Sequence, residues 1–86
     1  MLQLIYAPHF VRQFKRLSKE LQSEALEKIE LFRNDANNRM LNVHKLHGKF
    51  SGSYSFSLNY RMRVIFDYQS KSEVALLAIG DHAIYE

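Results

Sequence analysis

The strongest constraint on the fold is a two-residue alternation that begins at Ser53 and continues, through one turn, to Asp67. Large apolar and polar side chains follow one another along the backbone, as on a strand with one face against a core. The apolar set is Tyr54, Phe56, Leu58, Met62, Val64 and Phe66, and the polar set includes Ser53, Ser55, Ser57, Arg61 and Arg63. A turn near Asn59-Tyr60 divides the run, so the sequence predicts an antiparallel hairpin.

Two helices are predicted between a first strand and this hairpin. The short apolar segment Gln3–Tyr6 suits a strand, and Pro8, a favourable residue for the first turn of a helix, follows it. Apolar residues at helical spacing continue to about Leu17. A second helix is expected after Ser18, whose hydroxyl can cap it, and it ends in the turn-forming run Asn34–Asn38. The two apolar stripes predict a helical hairpin that packs on a sheet.

The last strand is predicted at Val74–Ile79, where a continuous apolar run suits a strand that is covered on both faces. Residues 39–51 alternate only weakly and predict an irregular loop. Glu24 and Lys28 are expected to form an ion pair one helical turn apart. The order of elements is β-α-α-β-β-β, which predicts an α+β fold with a helical hairpin on one face of a mainly antiparallel four-stranded sheet.

The totals limit the classes of protein to which the chain can belong. Its 86 residues predict one domain, 1–86, and 47% of them are hydrophobic, enough for a core without metals or disulfides. The absence of cysteine excludes a disulfide scaffold, a thiolate zinc site and a cysteine nucleophile. No signal peptide is recognisable, and no apolar run approaches the roughly 20 residues that cross a bilayer. We therefore expect a soluble, cytoplasmic protein with no membrane partner.

Positive charge is concentrated in the middle of the chain. No carboxylate occurs between Asp35 and Asp67. The basic residues in that interval are Arg39, His44, Lys45, His47, Lys49, Arg61 and Arg63. A one-sided positive field is typical of proteins that bind phosphate groups. The alternative is a solvated surface without a ligand, and charge alone favours neither.

Arg63 and His82 are the residues best suited to chemistry on a phosphate. Arg63 is expected on the polar face of the hairpin, where its guanidinium can donate paired hydrogen bonds to phosphate or, alternatively, pair with Asp67. His82 follows the last strand and can transfer a proton near neutral pH or lie idle on the surface. His44 and His47 lack a third ligand nearby in the sequence, so no metal is expected. Such residue types suit RNA cleavage by the substrate's own 2′-hydroxyl.

Four segments together carry a family resemblance that covers the whole chain. They are the helix start at Pro8, Lys45-Leu46-His47-Gly48, Tyr60-Arg61-Met62-Arg63-Val64-Ile65-Phe66 and Ala78-Ile79-Gly80-Asp81-His82-Ala83-Ile84-Tyr85. In this order they resemble the RelE/ParE superfamily of bacterial toxin–antitoxin modules, and in particular its RelE-like branch. The resemblance implies a RelE-like fold and a toxin that cleaves mRNA in the ribosomal A site until a cognate antitoxin, encoded beside it, silences it.

The resemblance also implies roles for individual residues. Arg63 matches the family arginine that stabilises charge on the phosphate, and His82 matches the basic residue at the end of the last strand, a general acid or base. Tyr85 matches a late tyrosine that orients the base or the scissile phosphate. His44 and His47 are implied participants, because related members have several histidines in the active site. Lys45, His47, Lys49 and Arg61 are expected to bind RNA by their charge. No cofactor is implied, and the implied partners are the antitoxin, mRNA in the A site and ribosomal RNA.

The chain departs from the family at Ser55 and Ser57, where some relatives have lysines. Proton transfer would therefore fall to His82 or His47. The same departure leaves open a degenerate toxin that binds its antitoxin without cleaving RNA. A further alternative is a ParE-like toxin that inhibits DNA gyrase, which shares the fold but does not need the terminal histidine and tyrosine. Because this chain has both, a nuclease is the favoured prediction.

Overall fold

A helical hairpin packs on a five-stranded mixed sheet in the computed structural model, which describes residues 1–85 except for the side chains of His82 and Tyr85. The strands are β1 (Gln3–Tyr6), β2 (His44–Lys45), β3 (Tyr54–Ser57), β4 (Arg63–Tyr68) and β5 (Glu73–Gly80), and the helices are α1 (Pro8–Lys15) and α2 (Lys19–Asn34). The strand order is β1-β5-β4-β3-β2. β1 runs parallel to β5, and every other neighbouring pair is antiparallel.

The α+β class, the helical hairpin and the mainly antiparallel sheet are confirmed, but the prediction of four strands was wrong. The extra strand is β2, which pairs with β3 through His44–Ser55 and Lys45–Tyr54 within the predicted loop. Two residues are too few for an alternation to be detected in a sequence. The rest of that segment contains two 3-10 turns, Arg39–Leu41 and Gly48–Phe50, rather than irregular chain throughout.

Local sequence explains where the helices begin and end. Pro8 occupies the first turn of α1, and the Ser18 hydroxyl caps α2 by accepting a hydrogen bond from the backbone N–H of Leu21 at 3.2 Å. α1 ends at Lys15, before the predicted Leu17, because its last N–H groups bond to carbonyls only three residues back. Neither described helix is long and apolar enough to span a membrane.

The face of the sheet that the helices cover is the predicted one. Phe56 and Phe66 lie on this face, fully buried, and meet Phe32 of α2. The ring centroid of Phe32 is 4.5 Å from that of Phe56 and 4.7 Å from that of Phe66. Around this aromatic centre the core cluster includes Phe10, Ala25, Ile29, Leu41, Leu58, Met62, Val64, Val74, Leu76 and Ile79, with Tyr54 packed against it.

The opposite face of the sheet is less open than its polar sequence predicts. Ser55, Ile65 and Ala78 pair across β3, β4 and β5, and their exposed fractions are 0%, 2% and 9%. Arg61 was also expected on this face, but it precedes β4 in the turn. The open part of the outer face is therefore the end of the sheet where Arg63 lies, half-buried.

Candidate active site

Arg63 is the centre of the candidate site. It begins β4 and pairs with Ser57 on one side and Gly80 on the other. Its Nη1 donates hydrogen bonds to the backbone carbonyls of Asn59, at 2.5 Å, and Met62, at 3.0 Å. Nη1 therefore holds the guanidinium in place, and within the described part of the chain Nε and Nη2 make no hydrogen bond.

The alternative partner of Arg63, Asp67, does not pair with it. Among the described residues, the one salt bridge joins Arg33 and Glu30 on α2. The charge of Arg63 is thus left without a carboxylate partner in this part of the structure. A guanidinium that is held by neutral carbonyls keeps its net positive charge, so it can still attract an anion.

The turn between β3 and β4 is built around the side chain of Asn59. Its Oδ1 accepts hydrogen bonds from the backbone N–H groups of Arg61, at 2.9 Å, and Met62, at 2.8 Å. Its Nδ2 donates to a carboxylate oxygen of Glu24 on α2, at 2.5 Å. Asparagine favours turns because its short amide can bond to nearby backbone groups in this way.

Lys28 makes a second connection between α2 and this turn, through a hydrogen bond of 3.1 Å from Nζ to the carbonyl of Leu58. The predicted ion pair between Glu24 and Lys28 is therefore not formed. Each side chain instead forms a hydrogen bond to a different residue of the turn, Glu24 to Asn59 and Lys28 to Leu58.

A cleft of about 460 Å³ opens beside Arg63. Its lining residues are Asn42, His44, Leu46, His47, Lys49, Phe50 and Arg63. The structure thus brings together four of the predicted site residues, three from the segment 39–51 and one from β4. No carboxylate lines the cleft among the described residues, so its field is positive.

His44 projects into the cleft because of its place in β2. Its pairing with Ser55 puts it on the outer face of the sheet. The Nδ1 atom lies 2.9 Å from the carbonyl oxygen of Asn42. A hydrogen bond between these atoms uses the tautomer in which Nδ1 carries the hydrogen, because a carbonyl oxygen only accepts. Within the described residues, no group of three or more His, Asp and Glu is arranged to hold a metal ion.

Lys45 and Arg61 lie outside this cleft. Lys45 is paired with Tyr54 on the face opposite to His44, and its Nζ is 5.9 Å from the centre of the tyrosine ring. Arg61 is exposed and lines a separate groove with Leu17 and Leu21 of the helical hairpin. That groove also contains the carboxylates of Glu24 and Asp81, which makes it a poor phosphate site.

The chain that carries His82 and Tyr85 forms a 3-10 turn directly after β5. Asp81 begins this turn, and its Oδ1 accepts a hydrogen bond from the N–H of Ala83 at 2.9 Å. Since Gly80 pairs with Arg63, the backbone of this turn starts beside the candidate site. The side chains of His82 and Tyr85 lie outside what the structure describes, so their catalytic roles stay predictions.

The sequence reasoning missed three residues of the site. Asn59 fixes the turn, Phe50 lines the cleft, and Asn42 orients His44 through its carbonyl. The strong turn preference of asparagine was a signal for Asn59. Its bond to Glu24 spans 35 residues of sequence and has no local signal.

Comparison with known proteins gives a result only at the level of structure. No protein-family model and no curated protein sequence matches the chain. Among solved structures, YafQ from E. coli superposes with a TM-score of 0.80 at 13% identity, over 99% of this chain and 98% of that one. A toxin from Helicobacter pylori, solved as a copper-bound mutant, gives 0.74 at 20% identity over 100% of both chains.

Two further structural relatives extend the same group. A YoeB/ParE toxin from Agrobacterium tumefaciens gives a TM-score of 0.75 at 12% identity, over 94% of this chain and 99% of that one. YoeB in its complex with YefM from Staphylococcus aureus gives 0.73 at 16% identity, over 95% of this chain and 98% of that one. The coverage is nearly complete in each case, so the predicted resemblance is confirmed for the fold. This chain therefore has the RelE-like fold, which it shares with the YafQ and YoeB toxins.

Proposed function

We propose that the chain is the toxin of a type II toxin–antitoxin module and that it cleaves mRNA in the ribosomal A site. The observation that carries this proposal is the convergence of Arg63, His44, His47 and Lys49 on one cleft whose described lining residues include no carboxylate. Such a cleft attracts a phosphodiester and supplies both a charge stabiliser and proton carriers. The fold it shares with YafQ and YoeB supports the same proposal.

Cleavage needs one proton taken and one proton given. The 2′-hydroxyl of the substrate attacks the adjacent phosphorus, and the bond from phosphorus to the 5′-oxygen breaks. The products are a 2′,3′-cyclic phosphate and a free 5′-hydroxyl. A base removes the proton of the 2′-hydroxyl, and an acid protonates the leaving 5′-oxygen. His82 takes one of these roles, and the imidazole of His44 or His47 takes the other.

Arg63 stabilises the charge that develops on the phosphate oxygens. Its Nη1 is bound by two carbonyls, so Nε and Nη2 are the donors for the phosphate. Donors that are already oriented need no reorganisation during the reaction, and loss of one such donor costs about 10²–10³ in rate. Lys49 binds a neighbouring phosphate, together with whichever of His44 and His47 does not transfer a proton. Tyr85 orients the scissile group, and Lys45 and Arg61 contact ribosomal RNA outside the cleft.

The cognate antitoxin is the proposed inhibitor. DinJ and YafQ from E. coli, and YefM and YoeB from Staphylococcus aureus, have been solved as toxin–antitoxin complexes. We expect a short acidic protein encoded next to this chain to bind it and to mask the positive cleft. Co-expression of that neighbouring protein should relieve growth arrest, and the protein should copurify with the chain.

The decisive experiment compares Arg63→Ala with a matched control in a reconstituted translation system. Ribosomes programmed with a defined mRNA are incubated with each protein, and the 5′ ends of the fragments are mapped. The wild-type chain should cut within the A-site codon, and Arg63→Ala should be about 10²–10³-fold slower. The control is Arg12→Ala, which removes the same side chain from an exposed position on α1. Thermal unfolding of both variants verifies that they are folded.

The cleavage experiment, combined with a DNA gyrase assay and a test of antitoxin binding, separates the alternatives. Intact mRNA with wild-type protein, together with inhibition of purified DNA gyrase, would establish a ParE-like toxin instead. Intact mRNA and active gyrase, with the antitoxin still bound, would indicate a degenerate toxin. Equal cleavage by wild type and Arg63→Ala would remove Arg63 from the mechanism.

A further inference from the structure

The guanidinium of Arg63 is oriented by the turn before it and not by the strands beside it. Both carbonyls that accept from its Nη1, those of Asn59 and Met62, belong to the turn between β3 and β4. The same Asn59 fixes the path of that turn, since its Oδ1 accepts from the N–H groups of Arg61 and Met62. One residue therefore defines both the turn and the direction in which the guanidinium points.

Asn59 is in turn held by the helical hairpin. Its Nδ2 donates to Glu24 on α2 at 2.5 Å, and both side chains are half-buried. A hydrogen bond to an ionised carboxylate is stronger than one between neutral groups. Four residues further along α2, Lys28 binds the carbonyl of Leu58, the residue before Asn59. Two points on one helix thus clamp the turn that carries the Arg63 contact.

We infer that Asn59 is a positioning residue for Arg63 and that Glu24 keeps Asn59 in this role. The inference rests on the proposed function, because it treats Arg63 as the group that binds the scissile phosphate. Arginine has a long, flexible side chain, so its catalytic value depends on how firmly it is oriented. If the turn is loosened, the charge of Arg63 stays in the cleft, but the orientation of its guanidinium is no longer fixed.

The pair Asn59 and Glu24 allows a test by exchange of donor and acceptor. Asn59→Asp places two carboxylates in contact and breaks the link to α2. Glu24→Gln alone keeps an oxygen that accepts from Asn59. The double variant Glu24→Gln/Asn59→Asp restores one hydrogen bond with its polarity reversed, from Gln to Asp.

We expect Asn59→Asp to lower kcat for A-site cleavage by about tenfold or more, with KM for programmed ribosomes little changed. The double variant should recover most of that loss.

The matched control is Asn34→Asp. Asn34 also donates from Nδ2 to a glutamate, Glu30, at 3.0 Å, but this pair is exposed and lies at the C-terminal end of α2. The same substitution there should leave kcat unchanged. Equal losses in Asn34→Asp and Asn59→Asp would overturn the inference.

Coupling to Arg63 distinguishes positioning from a loss of stability. Mutations of residues that act as one unit are not additive. In an Arg63→Ala background, Asn59→Asp should therefore cause no further loss of cleavage. A further loss of the same factor in that background would show that Asn59 acts on the whole fold, and it would contradict the inference.

A measurement independent of cleavage separates failure of this inference from failure of the proposed function. NMR relaxation of the Arg63 Nε–H group, assigned by its absence from the Arg63→Lys spectrum, reports how rigid the guanidinium is. The order parameter of the Arg63 Nε–H group should fall in Asn59→Asp and recover in the double variant. An unchanged order parameter overturns the inference even if the chain cleaves RNA. A fall and recovery support the positioning even if the chain does not.

Discussion

Ile84 lies directly over Gly80, so that its Cγ2 methyl is 2.5 Å from the place where a Cβ atom on Gly80 would lie. Gly80 is the residue of β5 that pairs with Arg63. The contact therefore seats the 3-10 turn His82–Tyr85 against the end of the sheet that holds the candidate site. A Cβ atom at this position would force Ile84 or β5 to shift, because real Cβ atoms essentially never come so close to another atom.

Gly80→Ala should both destabilise the protein and weaken cleavage. The new methyl group must displace Ile84 or β5, and overpacking of this kind typically costs about 1–3 kcal/mol. The displaced turn carries His82 and Tyr85, so we expect slower A-site cleavage as well. Chemical denaturation gives the change in the free energy of unfolding, and fragment mapping gives the rate.

Gly80→Ala/Ile84→Ala serves as the control for this prediction. It removes the Cγ2 methyl, and the Cβ atom that remains on residue 84 is 3.9 Å from the added carbon, an ordinary contact. Gly80→Ala should therefore lower the free energy of unfolding less when it is made in the Ile84→Ala background than when it is made in the wild type. A Gly80→Ala protein as stable and as active as wild type would mean that the turn is not seated by this contact.

The alternation of β3 and β4 was sufficient to predict which residues share a face, but not what covers the outer face. Ser55 and Ser57 are equivalent in the sequence pattern, yet Ser55 is fully buried and Ser57 is half-buried opposite Arg63. A serine is small and neutral enough to fit either environment. The two-residue period of a strand determines only which face each side chain lies on. How deeply that face is buried depends on the tertiary packing over it.

The site was predictable in its charges more than in its geometry. The cation-rich segment supplies His44, His47 and Lys49, and the structure brings these to Arg63. Lys45 was predicted with them, but as the neighbour of His44 in a two-residue strand it points to the other face. So short a strand leaves no periodic signal, because its pairing is decided by β3.

Phe32→Ala should cost far more stability than the same truncation at an exposed position of α2. Phe32 is fully buried and contacts the rings of both Phe56 and Phe66. Removal of a buried phenyl ring costs about 3–5 kcal/mol, from lost burial and the cavity that remains. Leu26→Ala on the same helix, where the side chain is 54% exposed, should cost less than about 1 kcal/mol. Similar free energies of unfolding for the two variants would contradict the assignment of Phe32 to the centre of the core.

Glu30 should make stability depend on pH in the acid range. Hydrogen bonds from Arg33 and then from Asn34 hold the pKa of the Glu30 carboxyl below its ordinary value of 4.5. A carboxyl whose pKa is lower in the folded state stabilises the fold above its unfolded pKa. That stabilisation is lost as the pH falls through the folded pKa. The Tm of Glu30→Gln should thus be below that of wild type near neutral pH, and the difference should shrink below about pH 4.5.

A series of thermal melts from neutral to acid pH checks this prediction. Glu27→Gln, an exposed glutamate on the same helix, is the control for loss of one negative charge. If the difference in Tm between Glu30→Gln and wild type stayed constant across the series, Arg33 and Asn34 would not be stabilising the ionised carboxylate of Glu30. Because the pair is exposed, the gap should also narrow at high salt.

Lys49 should contribute to RNA affinity through salt-dependent charge neutralisation. It lines the cleft beside Arg63, where a single-stranded RNA releases a counterion for each phosphate that is neutralised. Removing one such contact lowers the slope of log K against log salt by about 0.7 for a single strand. We expect Lys49→Gln to show this change when binding of a short, non-cleavable 2′-deoxy-substituted RNA is titrated by fluorescence anisotropy. Lys71→Gln, on the exposed turn between β4 and β5, removes the same charge outside the cleft and should keep the wild-type slope. Equal slopes for Lys49→Gln and Lys71→Gln would mean that RNA is held by overall charge and not by the cleft.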